Sequence, residues 1–304
     1  MRADRASATA RLIAAATVMR EGAEDGPPAG AGAWCARFLS TSVPDRLLLA
    51  SARSRIGRAW WGWIESATIP GIVSHWMCRK RVIDHLVREA IDDGYSQLIV
   101  LGAGLDSLAW RLAGERTHER IISADHPATL SVVRSALARR LDSTSGESSG
   151  TEDCVERVEL LALDLDIDDA ICVLTTSRTF DSTRATIVVV EGVLMYLAEP
   201  GVERVLRALA SLPSASTRLV ASWMLDQPGR PIGFEGQGRP VAAWLRRRQE
   251  PMRWATTPAS LLSFLARCGW REPRIINLGE DDLPGNTPAH GLRGEQLFVS
   301  ERSE

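Results

Sequence analysis

From residue 97 onward, short apolar runs alternate with segments of helical periodicity. The apolar runs, which predict strands, are Gln97–Leu101, Arg120–Ala124, Val155–Ala162, Ala185–Val190, Arg218–Trp223, Pro273–Leu278 and Gln296–Val299. The helical segments between them are Ser107–Ala113, Pro127–Leu141, Ile167–Leu174, Val202–Leu212 and Pro258–Cys268. Strands that alternate with helices predict an α/β fold with a doubly wound, mostly parallel sheet. No helix is predicted between the last two strands, so we expect the final strand to be antiparallel.

The region before the first strand predicts helices. A linker rich in glycine and proline covers Gly22–Gly32, and a strongly patterned helix over Met77–Ile91 stops at a turn that contains glycine. Five tryptophans lie between these two segments. We therefore expect residues 1–76 to form a helical extension that caps the substrate, and residues 77–304 to form the main domain.

Two further segments interrupt the alternation of strands and helices. The segment 226–257 contains four prolines and two tryptophans, and a segment this long without an obvious element is usually functional in a compact domain. Its aromatic residues favour a lid insertion. Ser143–Gly150 consists of serine, threonine, glycine and one glutamate, a composition that predicts a surface loop.

The turn after the first strand carries the most information about a ligand. The strand ends in Gly102-Ala103-Gly104, where glycine allows a tight turn and a close approach to a ligand. A helix N-terminus is expected near Asp106. A strand, a glycine turn and a helix N-terminus in this order are typical of a nucleotide-type cofactor site. Ser107 replaces the third glycine of a dinucleotide fingerprint, and Asp106 repels a pyrophosphate. The turn thus favours S-adenosylmethionine over NAD(P), with a plain tight turn as the alternative.

Acidic residues follow three neighbouring strands at their carboxyl ends. Asp125 ends the second strand, Asp164 follows the third, and Glu191 follows the fourth. Ligands of doubly wound sheets bind at this edge, so Asp125 suits ribose hydroxyls and Asp164 suits an adenine amino group. Glu191 is expected to be partly buried and to need a cationic partner, such as a methionine ammonium or a sulfonium. The structural alternatives are a helix cap for Asp125, a surface carboxylate for Asp164 and an internal arginine for Glu191.

The order and spacing of these motifs resemble the leucine carboxyl methyltransferase family, whose bacterial branch includes polyketide-tailoring O-methyltransferases. The resemblance rests on Arg79–Asp84, Gln97–Asp106, Arg111-Leu112, Asp125–Pro127, Asp164-Leu165 and Glu191–Leu197. It implies a class I methyltransferase fold with a Rossmann-like sheet, and S-adenosyl-L-methionine as the methyl donor.

The resemblance also implies roles for individual residues. The implied cofactor contacts are Arg79, Gly102, Ala103, Gly104, Asp106, Asp125, His126, Asp164, Leu165 and Glu191. Arg79 would bind the methionine carboxylate, although Arg81 also matches the motif. Tyr196 would lie near the transfer site, which makes Tyr196 and Arg79 the catalytic candidates. Ser123 and Leu108 depart from the family pattern, so the contacts with the substrate do not follow from it.

The acceptor is expected to be a small, hydrophobic, aromatic or polyketide-like molecule. Tryptophan and tyrosine rings suit a flat apolar pocket, and the candidates are Trp60, Trp63, Tyr196, Trp223 and Trp244. A carboxylate acceptor is already ionised at neutral pH and needs no base, so a carboxyl methyl ester is favoured. A phenol would need a base, for which His75 and His290 lie in candidate pocket regions. The cluster Arg246–Arg248 reads as a solvated helix face more readily than as a carboxylate clamp.

Composition narrows the remaining alternatives. The net charge of −2 gives no reason to expect nucleic acid or a membrane surface as a partner. Five scattered cysteines without a Cys-x-x-Cys pair predict a reducing, cytoplasmic compartment and no metal site. The expected partner is a small-molecule acceptor, and a homodimer stays an open alternative to a monomer. An NAD(P)-dependent oxidoreductase and a non-catalytic cofactor-binding module remain alternative functions, although no Tyr-x-x-x-Lys pair supports the first.

Overall fold

One sheet runs through the part of the chain that the computed structural model describes, which is residues 6–115, 120–141, 154–280, 283, 284, 287 and 290–302. Its strands are β1 Gln97–Leu101, β2 Arg120–Asp125, β3 Val158–Ala162, β4 Thr186–Val190, β5 Thr217–Met224, β6 Trp270–Ile276 and β7 Glu295–Arg302. Their order is β3-β2-β1-β4-β5-β7-β6. Strands β1 to β5 pair in parallel, and β7 is antiparallel to both β5 and β6. The predicted α/β fold with an antiparallel last strand is confirmed.

Helices cover both faces of this sheet. They are α1 Ala8–Arg20, α2 Ala31–Phe38, α3 Val43–Arg53, α4 Arg55–Thr68, α5 Ile72–Asp92, α6 Leu108–Glu115, α7 Pro127–Leu141, α8 Ala170–Thr175, α9 Glu199–Ala210, α10 Arg239–Arg248 and α11 Pro258–Arg267. All five residues of β1 are buried, because a central parallel strand has packed side chains on both faces. No helix among the described residues has the length and apolarity needed to cross a membrane.

The sixth strand is the element that the sequence placed least well. It begins at Trp270, three residues before the predicted start at Pro273, and it ends at Ile276. The pairing with β7 shifts between Arg271 and Arg274, and Glu272 there has a positive φ of 50°. Such an irregularity, with a proline in an edge strand, breaks the alternation from which a strand is predicted. The predicted surface loop Ser143–Gly150 lies outside the described residues.

The helical extension and the insert 226–257 both lie over the carboxyl edge of the sheet. Glu250 of the insert accepts hydrogen bonds from the backbone nitrogens of Ala8 at 2.8 Å and Thr9 at 3.1 Å. The Thr9 hydroxyl donates to the same carboxylate at 2.6 Å. A carboxylate at a helix N-terminus satisfies backbone donors that have no partner within the helix. Glu250 therefore ties α1 to the insert, and the predicted lid insertion contains a helix, α10.

We expect Gly102→Ala to destabilise the fold, because Gly102 has a positive φ of 63° and a Cβ there would overlap the side chain of Val193. The backbone strain alone should cost about 1–3 kcal/mol in the free energy of unfolding, measured by denaturant titration. Gly62→Ala is the matched control, since a Cβ at that position in α4 meets nothing within 4 Å. Equal stabilities of the two variants would contradict this account of the turn.

Candidate active site

A cavity of about 1220 Å³ lies at the carboxyl ends of β1 to β4. Small-molecule pockets usually measure about 300–1,000 Å³, so this cavity has room for a cofactor and a second ligand. The glycine turn 102–104 and the residues that follow β2, β3 and β4 form one wall. Helices α1 and α4 and the insert 226–257 form the others.

The structure brings all the predicted cofactor residues together around this cavity. They are Arg79, Gly102, Ala103, Gly104, Asp106, Asp125, His126, Asp164, Leu165 and Glu191. Two of the predicted substrate residues, Tyr196 and Trp244, also line it. Their convergence follows from the topology, because the carboxyl ends of parallel strands meet at one edge of a sheet.

Three predicted substrate residues lie elsewhere, and their placement in the pocket was wrong. Trp60 and Trp63 are 55% and 68% exposed, because the helical phase of α4 turns Trp61 toward the cavity in their place. Trp223 has no exposed surface; its ring packs against Phe298 in the core. Alternation along β5 directs that side chain into a core face of the sheet.

Asp125 is held at the end of β2 by the glycine turn. Its carboxylate accepts hydrogen bonds from Gly104 N at 2.5 Å and from His126 N at 2.6 Å. Burial raises the pKa of Asp125, although these two hydrogen bonds oppose the shift. The first turn of α7 is capped by His126, whose Nδ1 accepts from Ala128 N at 3.2 Å. The helix cap that the sequence left open for Asp125 is therefore supplied by its neighbour.

Asp164, which follows β3, lies next to His126 in the cavity wall. Its Oδ1 accepts a hydrogen bond from Asp166 N at 3.0 Å, and its Oδ2 lies 3.4 Å from Nε2 of His126. The side chain of Asp164 is 23% exposed. Asp164 is thus an organised carboxylate at the sheet edge and has surface left for a ligand.

Arg79 binds two carboxylates at once. Its Nε donates to Glu191 Oε1 at 2.9 Å, and its Nη1 donates to both oxygens of Glu295 at 2.8 and 2.6 Å. Arg79 is 3% exposed and Glu295 is fully buried. The internal arginine that the sequence left as the alternative partner of Glu191 is the partner observed. Both side chains still line the cavity, so their contacts with a cofactor remain predictions.

His75, one turn before Arg79 in α5, forms a hydrogen bond with Glu295. Its Nδ1 accepts from Leu292 N at 2.9 Å, so Nε2 carries the ring proton and donates to Glu295 at 3.0 Å. Burial alone would raise the pKa of Glu295, but Arg79 and then the hydrogen bond from His75 hold it at about 2. Glu295 is therefore an anion throughout the physiological range.

Lys80 links Glu191 to Asp106, the acid next to the glycine turn. Its Nζ pairs with Asp106, and it lies 3.5 Å from Glu191 Oε1. Burial lowers the pKa of Lys80, but Asp106 and Glu191 outweigh burial and raise it. Burial raises the pKa of Asp106, but Lys80 outweighs burial and lowers it. Asp106 Oδ1 also accepts from Leu108 N at 2.7 Å, which caps α6.

Tyr196 ends a single 3₁₀ turn, Leu194–Tyr196, after β4. Desolvation raises the pKa of Tyr196, while a hydrogen bond with the Thr9 side chain lowers it in part. The phenol is therefore protonated at neutral pH and can donate a hydrogen bond. Neither His75 nor His290 lines the cavity, since His75 is bound to Glu295 and His290 is exposed.

Three arginines form the rim of the cavity on the insert. Arg246, Arg247 and Arg253 are exposed, line the cavity and form no ion pair with any described residue. Arg248, in contrast, packs over the Trp244 ring at 5.6 Å. The cluster is thus both solvated and positioned at the opening. Among the described residues, no group of histidine, cysteine and acidic side chains is placed to hold a metal ion.

Reasoning from the sequence missed several residues of this site. Lys80 carried a usable signal, because it is the only lysine among the 36 basic residues of the chain. Glu295 directly precedes the predicted final strand, but nothing in the pattern indicates that it is buried. Glu250 and Thr9 are 241 residues apart in sequence and meet only in the folded chain.

Comparison with known proteins agrees with this geometry. The family model of leucine carboxyl methyltransferase matches residues 13–210, which is more than half of the chain. The chain belongs to the leucine carboxyl methyltransferase family. The resemblance predicted from the motifs is therefore confirmed, and the match includes most of the helical extension.

Individual members and structures add detail. A Mycobacterium sp. (strain KMS) protein, provisionally named as an S-adenosyl-L-methionine-dependent methyltransferase, is 28% identical over 217 residues. The match covers 64% of this chain and 66% of that relative, just under two thirds of its length. A provisionally named methyltransferase from Thermobifida fusca YX has a TM-score of 0.60 at 19% identity, over 100% of this chain and 97% of that one. A DUF574 family protein from Streptomyces avermitilis has a TM-score of 0.59 at 18% identity, with 98% of each chain covered. These structures confirm the class I methyltransferase fold.

We expect Glu295→Gln to lower the free energy of unfolding at pH 7 by about 3–5 kcal/mol, because the variant leaves Arg79 without one of its buried partners. The pKa of Glu295 falls from 4.5 in the unfolded chain to about 2 in the fold. Its stabilising contribution is therefore complete above pH 4.5 and disappears as the pH falls toward 2. Urea titrations of the wild type and the variant should differ most at pH 7 and converge in acid.

Glu203→Gln is the matched control for this titration. Glu203 forms an exposed pair with Arg207 on α9, and such pairs contribute about 0–1 kcal/mol. A Glu295→Gln variant as stable as this control, or a difference from the wild type that does not depend on pH, would contradict the role of the buried pair.

Proposed function

We propose that this chain is an S-adenosylmethionine-dependent O-methyltransferase that forms a carboxyl methyl ester on a small apolar, aromatic or polyketide-like acceptor. The observation that carries the proposal is the separation of charge within the cavity. Carboxylates lie at the sheet edge, whereas Arg246, Arg247 and Arg253 lie on the rim without ion-pair partners among the described residues. The family membership and the names of the relatives support methyl transfer.

The sheet edge fits a cationic donor. Six carboxylates line the cavity there with two buried cations, Arg79 and Lys80. The carboxylates belong to Asp106, Asp125, Asp164, Asp166, Glu191 and Glu295. This excess of negative charge suits a ligand that carries an ammonium and a sulfonium, and it disfavours a pyrophosphate. S-adenosylmethionine, when bound, supplies an activated methyl group.

The residues of this wall have distinct roles in holding the donor. Asp125 would accept hydrogen bonds from the ribose hydroxyls, and Asp164 with Leu165 would contact the adenine end. Glu191 would neutralise the methionine ammonium. Arg79, whose donors are largely occupied by Glu191 and Glu295, holds Glu191 in place and has at most limited capacity for the methionine carboxylate.

The rest of the cavity suits the acceptor. Trp61, Trp76 and Trp244 line it together with the aliphatic side chains of α1, which provides an apolar surface for an aromatic molecule. A rim arginine can pair with the acceptor carboxylate, and the protonated Tyr196 can donate a hydrogen bond to it. These residues would hold one oxygen of the acceptor toward the methyl group that the bound donor supplies, with S-adenosylhomocysteine as the leaving product. Alignment and desolvation supply the rate acceleration, because a carboxylate is ionised without a base.

We expect Asp125→Ala to weaken the binding of S-adenosylmethionine by about 1.5–3 kcal/mol, because the variant loses a charged acceptor of two hydroxyl groups. Isothermal titration calorimetry measures this loss, and NAD should give no binding with either protein. Asp226→Ala is the matched control, since Asp226 is exposed and lies outside the cavity wall. An unchanged dissociation constant in folded Asp125→Ala, or tight binding of NAD, would refute the assignment of the donor wall.

The double variant Arg246→Gln, Arg247→Gln should raise KM for aromatic carboxylic acids by about tenfold with a smaller change in kcat, because a charge-assisted hydrogen bond to the acceptor is lost. Initial rates with a panel of aromatic carboxylic acids and the matched phenols measure this effect. Arg239→Gln is the control, because Arg239 begins the same helix and does not line the cavity.

The same assays identify the bond that forms. With a carboxylate acceptor the rate should be nearly constant from about pH 6 to 9, since the acceptor stays ionised. The product should be hydrolysed by mild alkali. A rate that rises toward the pKa of a phenol, with a product that resists alkali, would replace the ester by the hydroxyl-methylating alternative.

A further inference from the structure

Large apolar side chains are exposed mainly in one region of the described surface. Val43 and Leu47 of α3 are 60% and 67% exposed, and Ile56, Trp60 and Trp63 of α4 are 86%, 55% and 68% exposed. Scattered single exposures are ordinary, but several large apolar side chains exposed on two neighbouring helices indicate an interaction site. We call these five side chains the outer face of α3 and α4.

The spacing of these residues forms ordered stripes. Ile56, Trp60 and Trp63 are four and three residues apart, so they lie along one face of α4. A different face of α4 carries Trp61 and Ile64, which line the cavity. Helix α4 is therefore a single layer between the apolar cavity and an apolar outer surface.

The exposed charged side chains of α3 and α4 are all basic. Arg46, Arg53, Arg55 and Arg58 are exposed on these two helices, and none forms an ion pair with a described residue. The acids of the same helices point elsewhere, because Asp45 is 2% exposed and binds Arg11. Glu65 accepts a hydrogen bond from Val73 N at 3.0 Å and lines the cavity. This local excess of positive charge is not apparent from the net charge of −2, which sums over the whole chain.

We propose that the outer face of α3 and α4 docks on an anionic lipid bilayer. Tryptophan and isoleucine on one helix face, accompanied by arginines, form the pattern of helices that lie in a membrane interface. The indole ring favours that interface because it is apolar with one polar N–H group. Arginines near the bilayer add attraction to anionic headgroups. The proposal replaces the expectation, drawn from net charge alone, that no membrane surface is a partner.

The charge pattern argues against a second copy of this chain as the occupant. A twofold dimer brings the same patch of each copy together, so the arginines that flank the patch in one copy would approach those of the other. Such like-charge contacts oppose association. A bilayer also contains the kind of apolar molecule that the cavity behind α4 can hold, whereas an acidic protein complements only the charge.

The test is binding of the whole 304-residue chain to extruded vesicles, measured by flotation. The wild type should bind vesicles of equal phosphatidylcholine and phosphatidylglycerol, bind pure phosphatidylcholine at least about tenfold more weakly, and be released by high salt. The double variant Trp60→Ser, Trp63→Ser should bind the anionic vesicles at least about tenfold more weakly. The variant Arg53→Gln, Arg55→Gln should lose the dependence on anionic lipid.

The matched control is the double variant Ile167→Ser, Leu262→Ser, which removes two exposed apolar side chains elsewhere and should bind vesicles like the wild type. Thermal unfolding and calorimetry with S-adenosylmethionine check that all variants are folded. A wild type that ignores anionic vesicles would overturn the proposal, as would equal binding by the tryptophan variant. A dimer that the tryptophan variant converts to a monomer would assign the face to a second copy, and binding to polyglutamate without vesicle binding would assign it to an acidic protein.

Discussion

The buried pair between Arg79 and Glu295 is the contact on which the candidate active site depends. It joins α5 to the first residue of β7, and it also presents Arg79 to Glu191 at the end of β4. Glu191 and Asp106 in turn hold Lys80, and Asp106 caps the helix after the glycine turn. Because Arg79, Lys80 and Glu295 are buried, loss of one partner leaves a buried charge uncompensated. The same paired charges therefore stabilise the fold and set the charge of this wall of the cavity.

A second carboxylate organises the opposite side of the cavity. Glu250 binds the N-terminus of α1 and so links the helical extension to the insert 226–257. Thr9, whose hydroxyl donates to this carboxylate at 2.6 Å, also lies beside Tyr196. Helix α1 and the insert, which line this side of the cavity, are therefore joined by hydrogen bonds at the cavity wall. These bonds lie close to Tyr196, near which we expect methyl transfer to occur. Arg246, Arg247 and Arg253 of the insert remain exposed on the rim of the cavity.

Helix α4 illustrates how one element can serve two environments. Trp61 faces the cavity and donates its indole N–H to Ser51 at 2.9 Å, while Trp60 and Trp63 remain exposed. The sequence places these rings on different sides of a helix, but it does not indicate which side is covered. Which of the rings is covered depends on how α4 packs against the rest of the chain, and the sequence of the helix does not specify that packing. Trp223 is the same case on a strand, where the core covers it completely.

The sequence by itself determined the sheet, the glycine turn and the residues at the strand ends. These depend on local patterns: apolar runs predict β1, β2, β4 and β5 to within one residue at each end, whereas β3 begins three residues later than predicted. Parallel strands bring Asp125, Asp164 and Glu191 to one edge. The tertiary structure alone decided the partners of those residues. Arg79 meets Glu295 across 216 residues and Glu250 meets Thr9 across 241, distances over which no periodicity in a single sequence carries information. Close packing and the need to pair every buried charge select these contacts.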